Sequence, residues 1–443
     1  MRSKLSVLAF FISIVLFAQN GILKSGPMVG YCEMKEAMIW LQTTETAKVK
    51  IEYFDIENPT VHYFSDEFQS SKEVAYTYHI LLDQLQEGKK YQYQLIINDK
   101  KVTVPYETTF RSKKFWQWRE NAPEFKIAFG SCSYINENPL DRPGKGYGSE
   151  YEIFETIAKQ NPDIMLWGGD NTYLREADYD SKTGIYHRNT HTRAIKEIQP
   201  LLAKAQNIAI WDDHDFGPDD SNRSFYNKYL TQKAFKDFWA NKSYGMDPSQ
   251  QEGVYTTFNW GDAEFFLLDN RFFRSPDERK TGKLTMLGDK QLEWLIDALA
   301  TSRANFKIVV IGGQVLNSDP KTENYGHYPE EKEKLLSEIA ANDIKGVLFL
   351  SGDRHFSELS RLERPNTYPL YDWTVSPLTA GVASGKYVAY DNKLRVKDSA
   401  FFTHNFGTIT FSRDNDNRKM ELLLLDKDGN TLWTRTITKN ELQ

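Results

Sequence analysis

The pattern of hydrophobic and polar positions changes once along the chain, near residue 112. Before that point, short runs such as EAMIWLQT, AKVKIEYF and KKYQYQLIIN alternate apolar and polar residues or are rich in β-branched and aromatic ones. Turn sequences such as QEGKK and INDKK separate them. This pattern is typical of half-buried strands. It predicts a small all-β sandwich of the immunoglobulin or fibronectin type over residues 21–112.

A different pattern follows a polar and aromatic connector, residues 113–123. Segments with helical periodicity, such as KQLEWLIDALA and EEKEKLLSEIAA, lie between several continuous apolar runs. The runs are FKIAFGSC, PDIMLWGGD, NIAIWDDHD, AEFFLLDNR, FKIVVIGGQ and KGVLFLSGDRH. Continuous apolar strands that alternate with helices predict a buried α/β sheet, in a second domain over residues 124–443.

Each of these apolar runs ends in polar side chains. Because ligands bind at the carboxyl ends of strands in open α/β sheets, we expect the polar ends to meet at one rim. The stretch WDDHDFGPDD alone carries five aspartates, which would repel each other unless a cation neutralised them. The ends therefore predict a metal site. They carry Cys132; Asp170, Asn171 and Tyr173; Asp212, Asp213 and His214; Asp269 and Arg271; Gln314 and Asn317; and Asp353 and His355.

Each strand end also has a purely structural interpretation. Asp and Asn favour turns, and Asp269 and Arg271 could form an ion pair. Cys132 could ligate a metal as a thiolate, form a disulfide with Cys32, or be a small buried apolar residue. We favour the thiolate, because Cys132 follows Gly-Ser at a strand end.

Composition and the N-terminal sequence exclude some classes of function and predict where the protein is located. A formal net charge of −6 argues against a general nucleic-acid binder. Residues 1–20 place Arg2 and Lys4 before an uncharged apolar run, which is typical of a secretory signal peptide and too short for a membrane anchor. We therefore expect an exported monomer, periplasmic or secreted, with no membrane span.

Taken in order, several motifs resemble those of the D-type alkaline phosphatases, the PhoD-like members of the calcineurin-like metallophosphatase superfamily. The motifs are FGSC, GGDNTY, WDDHDFG, LDNR, MLGDKQLEWL, GGQVLN, SGDRH and SPLTAG. The resemblance extends from about residue 24 to the end of the sequence. It implies a metallophosphoesterase core of two packed sheets flanked by helices. It also implies Fe3+ and Ca2+ as cofactors, rather than zinc.

The resemblance implies roles for individual residues. Asp170 would bridge two metals, and Tyr173 would be a phenolate ligand, as in the similar GDxxY motif of purple acid phosphatases. Where the family often has Asn after WDDH, this chain has Asp219 and Asp220. We take Asp219 as the calcium ligand, with Asp220 as the alternative. The predicted metal ligands are Cys132, Asp170, Tyr173, Asp213, Asp219, Asp353 and His355.

We therefore predict a metal-dependent phosphatase that hydrolyses small phosphate monoesters by means of metal-bound hydroxide. Arg271 would hold the phosphate oxygens with its planar fork, helped by Arg188 and Asn171. His214 or His355 would orient the nucleophile or protonate the leaving oxygen. The predicted catalytic residues are Asp170, His214, Arg271 and His355. A phosphodiesterase or phospholipase is the first alternative, and an exported binding protein without catalytic activity is the second.

Overall fold

A computed structural model describes residues 21–245, 252–319, 321–384, 392–412 and 417–443. The predicted signal peptide, residues 1–20, lies outside these ranges. Within them, no helix combines the length and the apolar character that a membrane crossing requires.

The N-terminal part of the described chain forms two antiparallel sheets, and this confirms the predicted sandwich. One sheet has the order β1-β2-β6, and the other has the order β4-β3-β7-β8, with β5 paired to β3 and β9 paired to β7. The strands are β1 (Leu23–Cys32), β2 (Ala37–Thr43), β3 (Lys48–Asp55), β4 (Tyr63–Phe64), β5 (Phe68–Gln69), β6 (Thr77–Leu82), β7 (Lys90–Ile97), β8 (Lys100–Lys101) and β9 (Thr109–Arg111).

The rest of the chain forms two further sheets, each with six strands. The first has the order β12-β11-β10-β19-β20-β21, and the second has the order β13-β14-β15-β16-β18-β17. The strands are β10 (Phe125–Gly130), β11 (Ile164–Gly168), β12 (Gln206–Ile210), β13 (Thr256–Trp260), β14 (Ala263–Leu267), β15 (Phe306–Val310), β16 (Val347–Ser351), β17 (Glu358–Leu362), β18 (Leu370–Thr374), β19 (Asn405–Phe411), β20 (Lys419–Asp426) and β21 (Thr431–Thr438).

Seven α-helices and three short 3-10 helices complete the described structure. The α-helices are α1 (Glu152–Lys159), α2 (Lys182–Arg193), α3 (Gln199–Leu202), α4 (Asp213–Phe216), α5 (Lys228–Phe238), α6 (Asp289–Thr301) and α7 (Pro329–Ala341). The 3-10 helices are Lys72–Val74, Tyr325–His327 and Lys439–Leu442. The mixed α/β core with two packed sheets is therefore the predicted one.

The two core sheets pack face to face because their strands are apolar on both sides. In β10, Ile127 and Phe129 belong to the core between the sheets, while Ala128, between them, belongs to the core under the helices. Successive side chains of a strand point to opposite faces, so a continuous apolar run supplies both cores. Phe411 joins the sheets directly, with its ring 5.5 Å from that of Phe306.

The six predicted apolar strands are divided between the two sheets, three in each. Strands β10, β11 and β12 are parallel, and so are β14, β15 and β16. Their ends meet closely: a Cβ at Gly352, after β16, would lie 2.4 Å from Oγ of Ser131 and 3.1 Å from the carbonyl oxygen of Gly168. Glycine thus allows the polar ends of both sheets to share one rim.

Candidate metal centre

Two groups of possible metal ligands at this rim share the carboxylate of Asp170. One group is Cys132, Asp170 and His355, and the other is Asp170, Asp213 and His214; within each, one ligand atom per residue lies within 4.8 Å of the others. The hydroxyl of Tyr173 adjoins the first group, 3.4 Å from Oδ2 of Asp170 and 3.2 Å from Nε2 of His355. Asp170 is therefore placed as a carboxylate that bridges two cations would be.

Four of the predicted ligands have left-handed backbone conformations. The φ angles are 60° at Cys132, 52° at Asp170, 68° at Asp353 and 56° at His355. Such angles are unfavourable for residues other than glycine and concentrate at functional sites. Backbone hydrogen bonds hold two of these residues in place. The N–H of Cys132 donates to the carbonyl of Gly169 at 3.2 Å, and the N–H of Ser133 donates to the carbonyl of Asp170 at 2.8 Å.

At the rim, the positive charge of nearby arginines does not outweigh the effect of burial on Asp170 and Asp353. Burial raises the pKa of Asp170 well above its ordinary value, and the nearby Asp213 and Cys132 raise it further. Burial also raises the pKa of Asp353 well above its ordinary value. Buried charges are normally paired or bound to metal ions. A cation here would supply the missing charge.

Unsatisfied polar atoms and the chemistry of the candidate ligands also indicate a site for cations. Among the described residues near the ligand groups, Oδ1 of Asn171 and Oδ1 of Asp213 are buried without a hydrogen-bond partner. Burial raises the pKa of the Cys132 thiol and of the Tyr173 phenol, so both would stay protonated unless a cation stabilised their anions. The residues present therefore fit bound metal ions.

The aspartates at the start of WDDHDFGPDD divide into structural and site residues. The carboxylate of Asp215 accepts from the N–H groups of Asn171 at 3.1 Å, Thr172 at 2.8 Å and Asp212 at 3.1 Å. The carboxylate of Asp212 accepts from Nε of Arg271. Both acids fix neighbouring loops, and neither belongs to the ligand groups.

The acids at the end of the same stretch also lie outside both ligand groups. The Asp219 side chain is 84% exposed, with Oδ1 3.4 Å from Nε2 of His214. The N–H of Asp220 donates to Oδ2 of Asp213 at 2.8 Å. A hydrogen bond with Glu323, together with burial, raises the pKa of the Asp220 carboxyl to about 9. Asp213 is therefore the acid that the stretch contributes to the second group.

The position of Arg271 corrects the predicted phosphate contact. Its side chain is fully buried, with Nη2 2.6 Å from Oε1 of Glu323 and 3.5 Å from Oδ1 of Asp213, and with Nε bonded to Asp212. Burial by itself would raise the pKa of Asp213, but the guanidinium of Arg271 outweighs burial and holds that pKa below its ordinary value. Arg271 neutralises acids behind the rim instead of facing a substrate.

The other two predicted substrate contacts are also buried inside the protein. Arg188 bonds to Oδ2 of Asp178 at 2.7 Å and to Oε2 of Glu137 at 2.8 Å. Nδ2 of Asn171 donates to the carbonyl of Ile210 at 2.7 Å. Both side chains have exposures near 1%, and neither lines the cavity beside the ligand groups in the described structure.

The two site histidines differ in accessibility. His355 is part-buried; its Nδ1 lies 3.0 Å from the hydroxyl of Tyr147, and burial lowers its pKa. A lowered pKa favours the neutral imidazole that a metal requires. The His214 side chain is 22% exposed, and its ring packs on Tyr173 at a centroid distance of 4.2 Å.

A cavity of about 510 Å³ opens onto both ligand groups. Asp353 lines it, and so do Tyr147 and Arg354, which sequence reasoning missed. Arg354 stands inside the quoted SGDRH motif, so a signal for it existed. Tyr147 comes from a loop without periodicity, and only the fold brings it to His355.

A two-sheet α/β core with buried Asp, His, Cys and Tyr side chains at its strand ends defines a metallophosphatase. The sequence profile of the PhoD-like phosphatase family matches residues 127–422, more than half of the chain, and the chain belongs to this family, whose members are hydrolases of phosphoric esters. A profile named domain of unknown function DUF7800 matches residues 20–115.

Three known proteins are similar to the chain. Alkaline phosphatase D of Bacillus subtilis (strain 168) is 22% identical over 337 residues, which are 65% of this chain and only 55% of that relative. The solved structure of PhoD has a TM-score of 0.75 at 16% identity, covering 94% of this chain and 92% of its own. The structure of purple acid phosphatase PPD1 from yellow lupin (Lupinus luteus) seeds has a TM-score of 0.65 at 13% identity, and the match covers 94% of this chain and 74% of that one. The two structural similarities establish the fold.

Proposed function

We propose that this chain is an exported, metal-dependent phosphatase that hydrolyses phosphate monoesters. The observation that carries the proposal is the pair of ligand groups that share Asp170 beside one cavity. Membership of the PhoD-like phosphatase family and the similarity to an alkaline phosphatase D support the reaction class.

The ligand chemistry supports Fe3+ in one group and Ca2+ in the other. Thiolate, phenolate and imidazole from Cys132, Tyr173 and His355 suit ferric iron, with Asp170 as a shared ligand. Carboxylates from Asp170 and Asp213 suit calcium. When bound, such ions offset the negative charge of the phosphate and lower the pKa of a water molecule, so that hydroxide is available near neutral pH.

The proposed role of the exposed histidine is proton transfer. His214 reaches the cavity, where the carboxylate of Asp219 lies 3.4 Å from its Nε2. A protonated imidazole at this position can donate its proton to the oxygen of the leaving alcohol. His355 keeps a fixed ring orientation through Tyr147 and serves the metal site instead.

The proposal also covers the organisation and location of the chain. We propose a signal peptide over residues 1–20, a sandwich domain over residues 21–112, a linker over residues 113–123 and the catalytic domain from residue 124 to 443. In this arrangement the protein acts as a periplasmic or secreted monomer. Mass spectrometry of the exported protein would identify its mature N-terminus, and its mass in solution would show whether it is monomeric.

The decisive experiment compares two substrates with the same leaving group. We expect purified, metal-loaded protein to hydrolyse p-nitrophenyl phosphate faster than bis-p-nitrophenyl phosphate, and we expect a chelator to abolish both activities. Faster hydrolysis of the diester would favour the phosphodiesterase alternative. The absence of hydrolysis on both substrates, with metals bound, would favour a binding protein.

A further inference from the structure

Arg354 occupies an unusual position at the rim. Of the described residues that line the cavity beside the ligand groups, it is the only arginine or lysine. Its side chain is 12% exposed, so it reaches the cavity while most of its surface is shielded from water. Partial shielding strengthens the attraction between a guanidinium and an anion.

The guanidinium of Arg354 has few partners within the protein. In the described part of the chain it makes one hydrogen bond, from Nη1 to Oδ2 of Asp353 at 3.4 Å. Its Nε is buried with no partner there. An arginine carries five N–H donors, and leaving a buried donor unsatisfied is costly. The side chain therefore has donors available for a ligand in the cavity.

The backbone holds Arg354 firmly in place. The residues on either side, Asp353 and His355, both have left-handed backbone conformations. The N–H of Arg354 donates to the carbonyl of Gly352 at 2.8 Å, and the N–H of His355 donates to Oγ of Ser376 at 2.9 Å. The guanidinium thus projects from a fixed turn between two candidate ligands.

Other arginines near the rim already have their partners. Arg271 bonds to Asp212 and Glu323, and Arg274 bonds to Glu323 and Asp277. Neither lines the cavity in the described structure. Among the described residues that line this cavity, the available positive charge is therefore at Arg354.

We propose that Arg354 binds the phosphate group of the substrate and favours monoesters over diesters, an inference that rests on the proposed function. A guanidinium fork matches the geometry of phosphate oxygens and can bind two of them together. A monoester dianion has three terminal oxygens and about two negative charges, whereas a diester has two such oxygens and one charge. A cation fixed beside the phosphate therefore stabilises the monoester more.

The test uses Arg354→Ala and Arg354→Lys in metal-loaded protein. We expect Arg354→Ala to lower kcat/KM for p-nitrophenyl phosphate about 100-fold, the usual effect of losing one charge-stabilising donor, and kcat/KM for the diester much less. Inorganic phosphate should also become a weaker inhibitor. Arg354→Lys should recover only part of each loss, because it keeps the charge without the fork. Guanidinium ion added to the assay should partly restore kcat/KM of Arg354→Ala for p-nitrophenyl phosphate.

A matched control separates direct contact from general electrostatics. Arg142→Ala removes the same charge from a side chain that is 93% exposed, and we expect it to change kcat/KM less than threefold. Equal losses of monoester and diester activity in Arg354→Ala, with phosphate inhibition unchanged, would overturn the inference. Wild-type protein that hydrolyses neither ester would overturn the proposed function instead.

Discussion

Cys32 and Cys132 are both buried and both free of a disulfide, yet their surroundings differ. Cys32 ends β1 among apolar residues, and its N–H donates to Oε1 of Gln206 at 2.9 Å. Cys132 has a φ of 60°, and its sulfur lies 3.1 Å from Oγ of Ser376 and 3.6 Å from Oδ2 of Asp170. The disulfide alternative is not formed, and of the two thiols only that of Cys132 belongs to a group of possible metal ligands in the described structure.

The same contrast distinguishes two larger regions of the molecule. Where the sandwich packs on the core, neutral side chains donate hydrogen bonds to backbone carbonyls. Nε1 of Trp40 donates to the carbonyl of Asp237 at 2.8 Å, and the hydroxyl of Tyr93 donates to the carbonyl of Ala203 at 2.9 Å. At the rim, acids, imidazoles and phenols converge on left-handed backbone. Burial alone therefore does not identify a site, whereas buried ionisable groups gathered on strained backbone do.

The largest expected effect is that of Asp170→Asn. Because a neutral amide cannot replace a bridging carboxylate, we expect loss of metal and a fall in kcat of about 1,000-fold or more. Elemental analysis and a phosphatase assay on folded protein would measure both. Asp163→Asn is the matched control: that acid is half-buried and accepts from the N–H of Lys126, away from the ligand groups, and we expect metal and activity to remain. Full activity of Asp170→Asn would remove Asp170 from the site.

The two cysteines allow a direct test of the comparison. Cys132→Ser should lose iron and about 100-fold of activity, because a thiolate ligand is gone. Cys32→Ser should keep its iron and activity and should lose about 1–3 kcal/mol of stability, because a hydroxyl replaces a buried thiol. Metal content, activity and urea unfolding would be measured for both. Equal iron contents in the two variants would show that Cys132 is not a ligand.

Tyr173→Phe should change the colour of the protein. A phenolate bound to ferric iron absorbs visible light by charge transfer, and zinc, with its filled d shell, cannot do so. We expect Tyr173→Phe to bleach or shift this band and to lower activity about 10-fold or more. Tyr93→Phe removes a buried hydroxyl from the sandwich interface and should leave the spectrum unchanged. A colourless, fully active wild type would contradict the iron assignment.

The remaining expected effect concerns stability and not activity: it is a pH dependence of the metal-free protein. Burial raises the pKa values of Asp170 and Asp353, so the folded state keeps protons that the unfolded chain loses near pH 4. Above that pH the free energy of unfolding should fall as pH rises, by up to about 1.4 kcal/mol per pH unit for each group. Urea unfolding between pH 5 and 8 would measure this slope.

Metal loading provides the contrast for that measurement. A bound cation takes the place of the protons, so the loaded protein should show a flatter profile over the same range. Asp170→Asn, studied without metal, should also have a shallower slope than the metal-free wild type. Identical slopes in all three proteins would mean that these carboxyls ionise without cost in the fold.

The sequence predicted the strands and the chemistry of their ends more completely than it predicted substrate contacts. Continuous apolar runs followed by polar residues identify Asp170, Asp213 and His355 without tertiary information. The arginines in LDNR and SGDRH look equivalent, since each follows an acid near a strand end. Glu323, far along the chain, pairs with Arg271 and not with Arg354, and local sequence carries no signal of that pairing.

The left-handed backbone at Cys132, Asp170, Asp353 and His355 has a consequence for exchange kinetics. Candidate ligands that the fold holds in place in advance need little rearrangement to receive an ion, and the adjoining cavity gives the ion a path to them. Metal-free folded protein should therefore take up its ions without unfolding, at a rate set by entry into the cavity and by loss of water from the ion.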